Sequence, residues 1–176
     1  MLKAYLEQEE YKKATDYLDQ ICNSSIRIRE KIYTVGNEVI DIVLNYYLGD
    51  LKNDTEIVIT GNAGVCANVD DRDLTVIVSN LVKNAVDELN VTDLQTRRFY
   101  FECTNDGNTL IIRTRNTFLC KNGDRQYQGS SFSKKGGNHL GIGLTNIEET
   151  VNKYNGVFFY RKTESVFETE TRLPLS

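Results

Sequence analysis

NLVKNAVDEL, residues 80–89, closes a segment that reads as one amphipathic helix from Asp70 or Asp71 to about Leu89. Leu74, Val78, Leu81, Ala85 and Leu89 recur at three- to four-residue spacing and form its core face. Two residues break the pattern. Asn80 and Asn84 stand mid-helix, where asparagine is a poor helix former that competes for backbone hydrogen bonds. At about 100° per residue, Asn84 lies roughly 40° from Asn80 and Asp87 roughly 20° to its other side, so the three share one polar stripe. An amide oxygen is a neutral, hard donor that can complete a Mg²⁺ shell beside water and phosphate oxygens. The competing reading of the stripe is a solvated helix face.

Working outward, Glu56–Thr60 (EIVIT) reads as a strand ending at Gly61-Asn62. Before it, Gly36 breaks the chain and Asn37 is placed to cap a helix with Val39, Ile40, Val43, Leu44 and Tyr47 on its apolar face. Downstream, Arg98–Thr104 and Leu110–Asn116 flank Asn105-Asp106-Gly107-Asn108, a hairpin signal. Residues 117–140 form a long polar segment rich in Gly, Ser, Lys and Asn, expected to be a lid or binding loop. A helix from about Leu144 to Tyr154 and two strands, Val157–Lys162 and Val166–Leu173, complete the chain. The order predicts an α+β fold, one mixed sheet covered on one face by helices.

Gly141-Ile142-Gly143-Leu144 closes the polar segment and opens that last helix. Glycines there let backbone N–H groups approach a phosphate, and the positive helix end favours the anion. A tight turn is the plainer reading of this motif alone. Ser133, Lys134, Lys135, Gly136 and Gly137 just upstream add hydroxyls, charge and flexibility, which suits a basic lid over a polyphosphate.

Composition removes other classes. The 176 residues are 40% hydrophobic and 26% charged, enough apolar material for one domain with a real core. The net charge of −4 argues against a basic nucleic-acid-binding face. His139 is the only histidine, which excludes multi-histidine metal and catalytic centres within the chain. Cys22, Cys66, Cys103 and Cys120 form no Cys-x-x-Cys pair and read as reduced, mostly buried residues of a cytoplasmic protein. The longest apolar stretch, residues 39–48, is interrupted by Asp41 and Asn45 and is too short to span a bilayer. No signal peptide is expected in the first residues, where Lys3, Glu7, Glu9 and Glu10 interrupt any apolar run.

NLVKNAVDEL together with HLGIGLTNIEETVNKYNG, residues 139–156, resembles the asparagine box and second glycine box of the GHKL ATPase superfamily. The two boxes stand about 57 residues apart with a lid between them. GNEVIDIVLN (36–45), FSKKGG (132–137) and YNG (154–156) are similar to the peptide-pheromone, quorum-sensing sensor histidine kinases of that superfamily. The resemblance implies a two-layer α/β sandwich of the GHKL (Bergerat) type at 34–176, lid at 117–140, preceded at 1–33 by a partial dimerisation helical segment.

It also implies ATP and Mg²⁺ as ligands. Asn84 would be the Mg²⁺ ligand, with Asn80 supporting metal and phosphates. Gly141 and Gly143 would line the phosphates, Leu144 beside them would belong to the ATP-binding residues, and Lys135 falls where the subgroup's lid lysine sits. Asp87 matches an acidic position of the subgroup, where many histidine kinases are basic. The first glycine box is not intact. Asn116 takes the place of the aspartate that accepts from the adenine amino group, which predicts weaker ATP binding.

Hydrolysing GHKL enzymes usually carry a glutamate where this chain has Asn80, and an amide cannot take a proton from water. The implied reaction is therefore transfer of the γ-phosphoryl group to a histidine. In the family that histidine lies on the first dimerisation helix, upstream of the residue matching Leu2, so this chain is expected not to phosphorylate itself. His139 is expected to be a surface or lid residue. Implied partners are the dimerisation helix of the same or a second chain and a response regulator of a two-component system. Homodimerisation and any membrane attachment would come through the missing N-terminal region. Two alternatives stay open: a nucleotide-binding or pseudokinase regulatory module, and a GHKL serine kinase.

Overall fold

Alternation is clearest in two strands. In β2 (Arg97–Asn105) Arg97, Phe99, Phe101 and Cys103 are buried, and in β3 (Thr109–Thr117) Leu110, Ile112, Thr114 and Asn116 are buried. This period of two puts one face of the sheet under the helices. The computed structural model describes residues 32–49, 51, 54–66, 68–91, 96–118, 127–130, 141–163 and 165–175. The chain divides into two compact units, Met1–Ile32 and Tyr33–Ser176. The dimerisation segment expected at 1–33 lies outside the described residues apart from its last two positions, as do Lys135 and His139.

Among the described residues three helices and six strands follow in the order α1 (Glu38–Leu48), β1 (Thr55–Asn62), α2 (Asp71–Val91), β2, β3, β4 (Tyr127–Ser130), α3 (Ile142–Asn152), β5 (Val157–Lys162) and β6 (Val166–Pro174). They build one sheet of order β1-β2-β3-β6-β5-β4. β1 and β2 are parallel, joined through α2, and every other neighbouring pair is antiparallel. The mixed sheet with helices on one face is the architecture the element order predicts. One element differs. The polar segment 117–140 was expected to hold no secondary structure, yet Tyr127–Ser130 pairs with β5 as an edge strand. Four residues without an apolar alternation leave little periodic signal in the sequence.

Local chemistry explains the boundaries. The Asn37 side chain accepts from the Ile40 N–H at 3.2 Å and caps α1. Asp41 and Asn45, which interrupt the apolar stretch, fold the preceding segment back onto α1. Asp41 accepts from the Val35 N–H and the Thr34 hydroxyl, and Asn45 exchanges hydrogen bonds with the Tyr33 backbone. Ile40, Val43 and Leu44 are buried, while Val39 and Tyr47 pack against the core from its edge. At the 105–108 turn, Asp106 accepts from the Asn108 and Thr109 N–H groups and holds the hairpin. Gly61 has φ +106°, and a Cβ there would lie 1.9 Å from the Cys103 carbonyl oxygen, so β1 can end against β2 only with glycine.

The core joins both layers. Leu74, Val78, Leu81, Ala85 and Leu89, the expected core face of α2, are all buried, with Ile77 and Val82 beside them. Cys66 and Cys103 are buried free thiols. Burial drives the Cys103 thiol up to about 12, leaving it without thiolate at neutral pH. Arg97 is buried at the far end of α2. Its Nε donates to the Leu89 carbonyl at 2.9 Å and its Nη1 pairs with Asp54 at 2.6 Å. At the other end of α2, Asp73 receives Lys153 and the Tyr154 hydroxyl, both at 2.8 Å, which fastens the end of α3 to the start of α2. Among the described residues no helix is long and apolar enough to cross a membrane.

Candidate nucleotide-binding site

α2 carries Asn80 and Asn84 on the side that meets the first turn of α3. The Asn80 Nδ2 donates to the Val76 carbonyl at 2.7 Å, which fixes its amide along the helix and turns its Oδ1 toward Gly143. A Cβ at Gly143 would lie 3.1 Å from Asn80 Oδ1, 3.1 Å from Asn84 Oδ1 and 3.3 Å from Asn84 Nδ2. Residues far apart in sequence are thus in van der Waals reach, and the glycine is what leaves room for both amides. Gly141 is the N-cap of α3 in extended conformation, and its carbonyl accepts from the Leu144 and Thr145 N–H groups. The Ile142 and Gly143 N–H groups ahead of them have no acceptor within the helix, and the helix dipole at this end favours an anion.

A cavity of about 220 Å³ opens beside the junction. Asn84, Gly141, Gly143 and Leu144 line one end. Asn116, Phe118, Lys162 and Phe167 line the other, and Glu88, one turn beyond Asn84 on α2, completes the lining. Asn116 is 2% exposed and its Nδ2 donates to the Thr117 carbonyl at 3.0 Å. It stands opposite Phe167 in the β3–β6 register, and Phe167 stands opposite Lys162 in the β5–β6 register. The Lys162 ammonium lies 4.0 Å from the centre of the Phe118 ring, a cation–π contact at the cavity wall. The cavity therefore has an amide and backbone N–H end, and an end of aromatic surface with charged and amide groups.

A larger depression, about 630 Å³, lies on the opposite face of the sheet. Its charges are spent on one another: Arg113 pairs with Glu102 and Glu170, and Glu168 with Arg115 and Arg161. It has neither the helix terminus nor the asparagines, so the smaller cavity is the candidate site.

Of the residues singled out from sequence, Asn80, Asn84, Gly141, Gly143, Leu144 and Asn116 are brought together here. Asp87 is not. Its carboxylate pairs with Lys83 one turn earlier on the exposed side of α2, and Glu88 takes the place on the cavity wall. The spacing from Asn84 to Glu88 is one helical turn, so the helix pattern contained that signal. Lys162 and Phe167 reach the site only through strand register, which no local motif announces. Among the described residues no group of three or more His, Cys, Asp or Glu side chains is placed to hold a metal. A metal here would rest on the Asn84 amide oxygen and on oxygens from a ligand. That donor set fits a hard, hydrated cation such as Mg²⁺.

A family profile described as the GHKL domain matches residues 70–174, which span α2 through β6. The chain belongs to the GHKL domain family. Solved structures that this GHKL domain resembles include histidine kinase domains. The catalytic domain of histidine kinase ThkA is 13% identical with a TM-score of 0.57, covering 78% of this chain and 92% of its own. The histidine kinase domain of the E. coli osmosensor EnvZ is 14% identical with a TM-score of 0.51, covering 84% and 93%. The Acinetobacter baumannii histidine kinase AdeS is 15% identical with a TM-score of 0.51, covering 99% and 83%. At such identities the shared property is the fold. Among curated proteins no sequence relative matches.

Proposed function

We propose that this GHKL domain is the catalytic and ATP-binding portion of a cytoplasmic sensor histidine kinase of the quorum-sensing type, part of a two-component system. The observation that carries the reading is the contact of Gly143 with Asn80 and Asn84, which unites two phosphate-suited motifs at one end of a cavity that closes on Asn116. The adenine end of ATP fits the Asn116, Phe118 and Phe167 side, and the polyphosphate fits the first turn of α3. Asn84 would hold Mg²⁺ through its amide oxygen, with Asn80 behind it; the bound ion would neutralise charge on the β- and γ-phosphates. Lys135 would close over the phosphates from the lid, and Leu144 would pack beside them.

The chain's own residues hold the triphosphate and leave the γ-phosphorus open to a nucleophile. In the transfer, a bond forms from an imidazole nitrogen of the acceptor histidine to phosphorus as the bond to the β–γ bridging oxygen breaks. ADP leaves, and the imidazole gives up its N–H proton. Asn80 has no basic atom with which to activate water, which favours a positioned external nucleophile over hydrolysis. The acceptor histidine would sit on a dimerisation helix not included in these residues, within a homodimer, and a response regulator would then receive the phosphoryl group. A regulatory module that binds nucleotide without transfer is the second reading, favoured by the neutral Asn116 amide.

The test mixes the chain with a separately made dimerisation hairpin carrying its histidine, in γ-labelled ATP and Mg²⁺. Label on the hairpin histidine, lost with Asn84→Ala, supports the kinase. ATP bound without transfer supports the regulatory module.

A further inference from the structure

Glu88 is the one carboxylate among the described residues that line the candidate cavity. It is half-buried on α2, one turn beyond Asn84 and so about 6 Å further along the helix axis, away from the first turn of α3. That displacement takes it from the end suited to phosphate, while it still lines the same cavity as Asn116, Phe118 and Lys162. A carboxylate beside a triphosphate would be repelled by it, whereas one beside an aromatic base is an acceptor for an amino group. The Asn116 amide on the sheet side is buried and neutral.

We infer that Glu88 is the specificity-determining residue for the base, accepting a hydrogen bond from the exocyclic amino group of adenine across the cavity from Asn116. This rests on the ATP-binding reading and deepens it. The phenyl rings of Phe118 and Phe167 give surface for the purine faces but cannot tell one purine from another. Asn116 offers an amide oxygen without charge. Glu88 adds the charge-assisted acceptor, the stronger form of the bond. The selectivity is for a donor at the purine 6-position, so a base lacking that group gains nothing from the carboxylate.

The test measures the affinity of the full chain for ATP and for purine riboside triphosphate, which lacks the 6-amino group, in wild type, Glu88→Leu and Glu88→Gln. Circular dichroism confirms that each variant is folded. The inference predicts that Glu88→Leu weakens ATP roughly tenfold or more, the scale of a lost hydrogen bond to a charged group. Purine riboside triphosphate should change by less than about twofold, and Glu88→Gln, which keeps an acceptor oxygen, should lose less ATP affinity than Glu88→Leu. Equal losses for both triphosphates would show that Glu88 only shapes the cavity or supports the metal, and would overturn the inference while leaving the ATP site standing. Unchanged ATP affinity in Glu88→Leu would overturn it as well. Failure of wild type to bind either triphosphate would overturn the ATP reading itself, and the inference with it.

Discussion

Gly143 packs so close to Asn84 that a side chain would crowd it: a Cβ at position 143 would lie 3.1 Å from the Asn84 Oδ1. This contact aligns the first turn of α3 with the amide stripe of α2, and the proposed phosphate site depends on it. Gly143→Ala keeps a residue that helices accept, so the fold should survive. The added methyl must displace the Asn80 or Asn84 amide by a few tenths of an ångström. Nucleotide affinity should fall roughly tenfold, a cost of about 1.4 kcal/mol, with little change in thermal midpoint. Calorimetric titration checks this, and unchanged affinity would mean that the amides do not touch the ligand.

Arg97 ties the C-terminal turn of α2 to the starts of β1 and β2 through Leu89 and Asp54. Its guanidinium is buried, so Arg97→Ala removes hydrogen bonds made in a low-dielectric setting. Stability in urea should drop by about 2 kcal/mol or more. Affinity for nucleotide in the remaining folded protein should stay close to wild type, because Arg97 lies away from the cavity.

Acid should loosen the junction of α2 with α3. The hydrogen bond from Lys153, helped by that from Tyr154, holds the Asp73 carboxyl below its ordinary 3.8. A depressed carboxyl contributes stability that is full above the unfolded-state value and is lost as pH falls through the folded-state value. Urea midpoints followed from about pH 6 down to about pH 3 should therefore decline, and Asp73→Asn should start lower and decline less. Asp106 and Glu170 are shifted the same way, so a shallower slope rather than a flat one is expected.

Much of this was legible in residue order, for reasons that particular positions make plain. Asn37 announces the start of α1, and the 105–108 turn announces the hairpin, because both act over a few residues. The core face of α2 follows from its period. The pairing of Asn80, Asn84 and Gly143 was readable as two motifs, although their contact is a matter of helix packing. Asp87 and Glu88 show the limit. Both flank the stripe at acceptable angles, and only the neighbouring Lys83 and the position of the cavity decide which one faces the site. The edge strand Tyr127–Ser130 and the approach of Lys162 and Phe167 come from register across the sheet, which has no local signature.

The central claim is that Asn84 and the first turn of α3 hold a magnesium–ATP complex. Its most direct measurement is the binding of a non-hydrolysable ATP analogue to wild type and Asn84→Ala, with Mg²⁺ and with EDTA. Saturable binding by wild type that needs Mg²⁺, and that falls at least about tenfold in the folded variant, is the predicted result. Wild type that binds no analogue at millimolar concentration, or that binds equally well without Mg²⁺ and with Asn84→Ala, would contradict it.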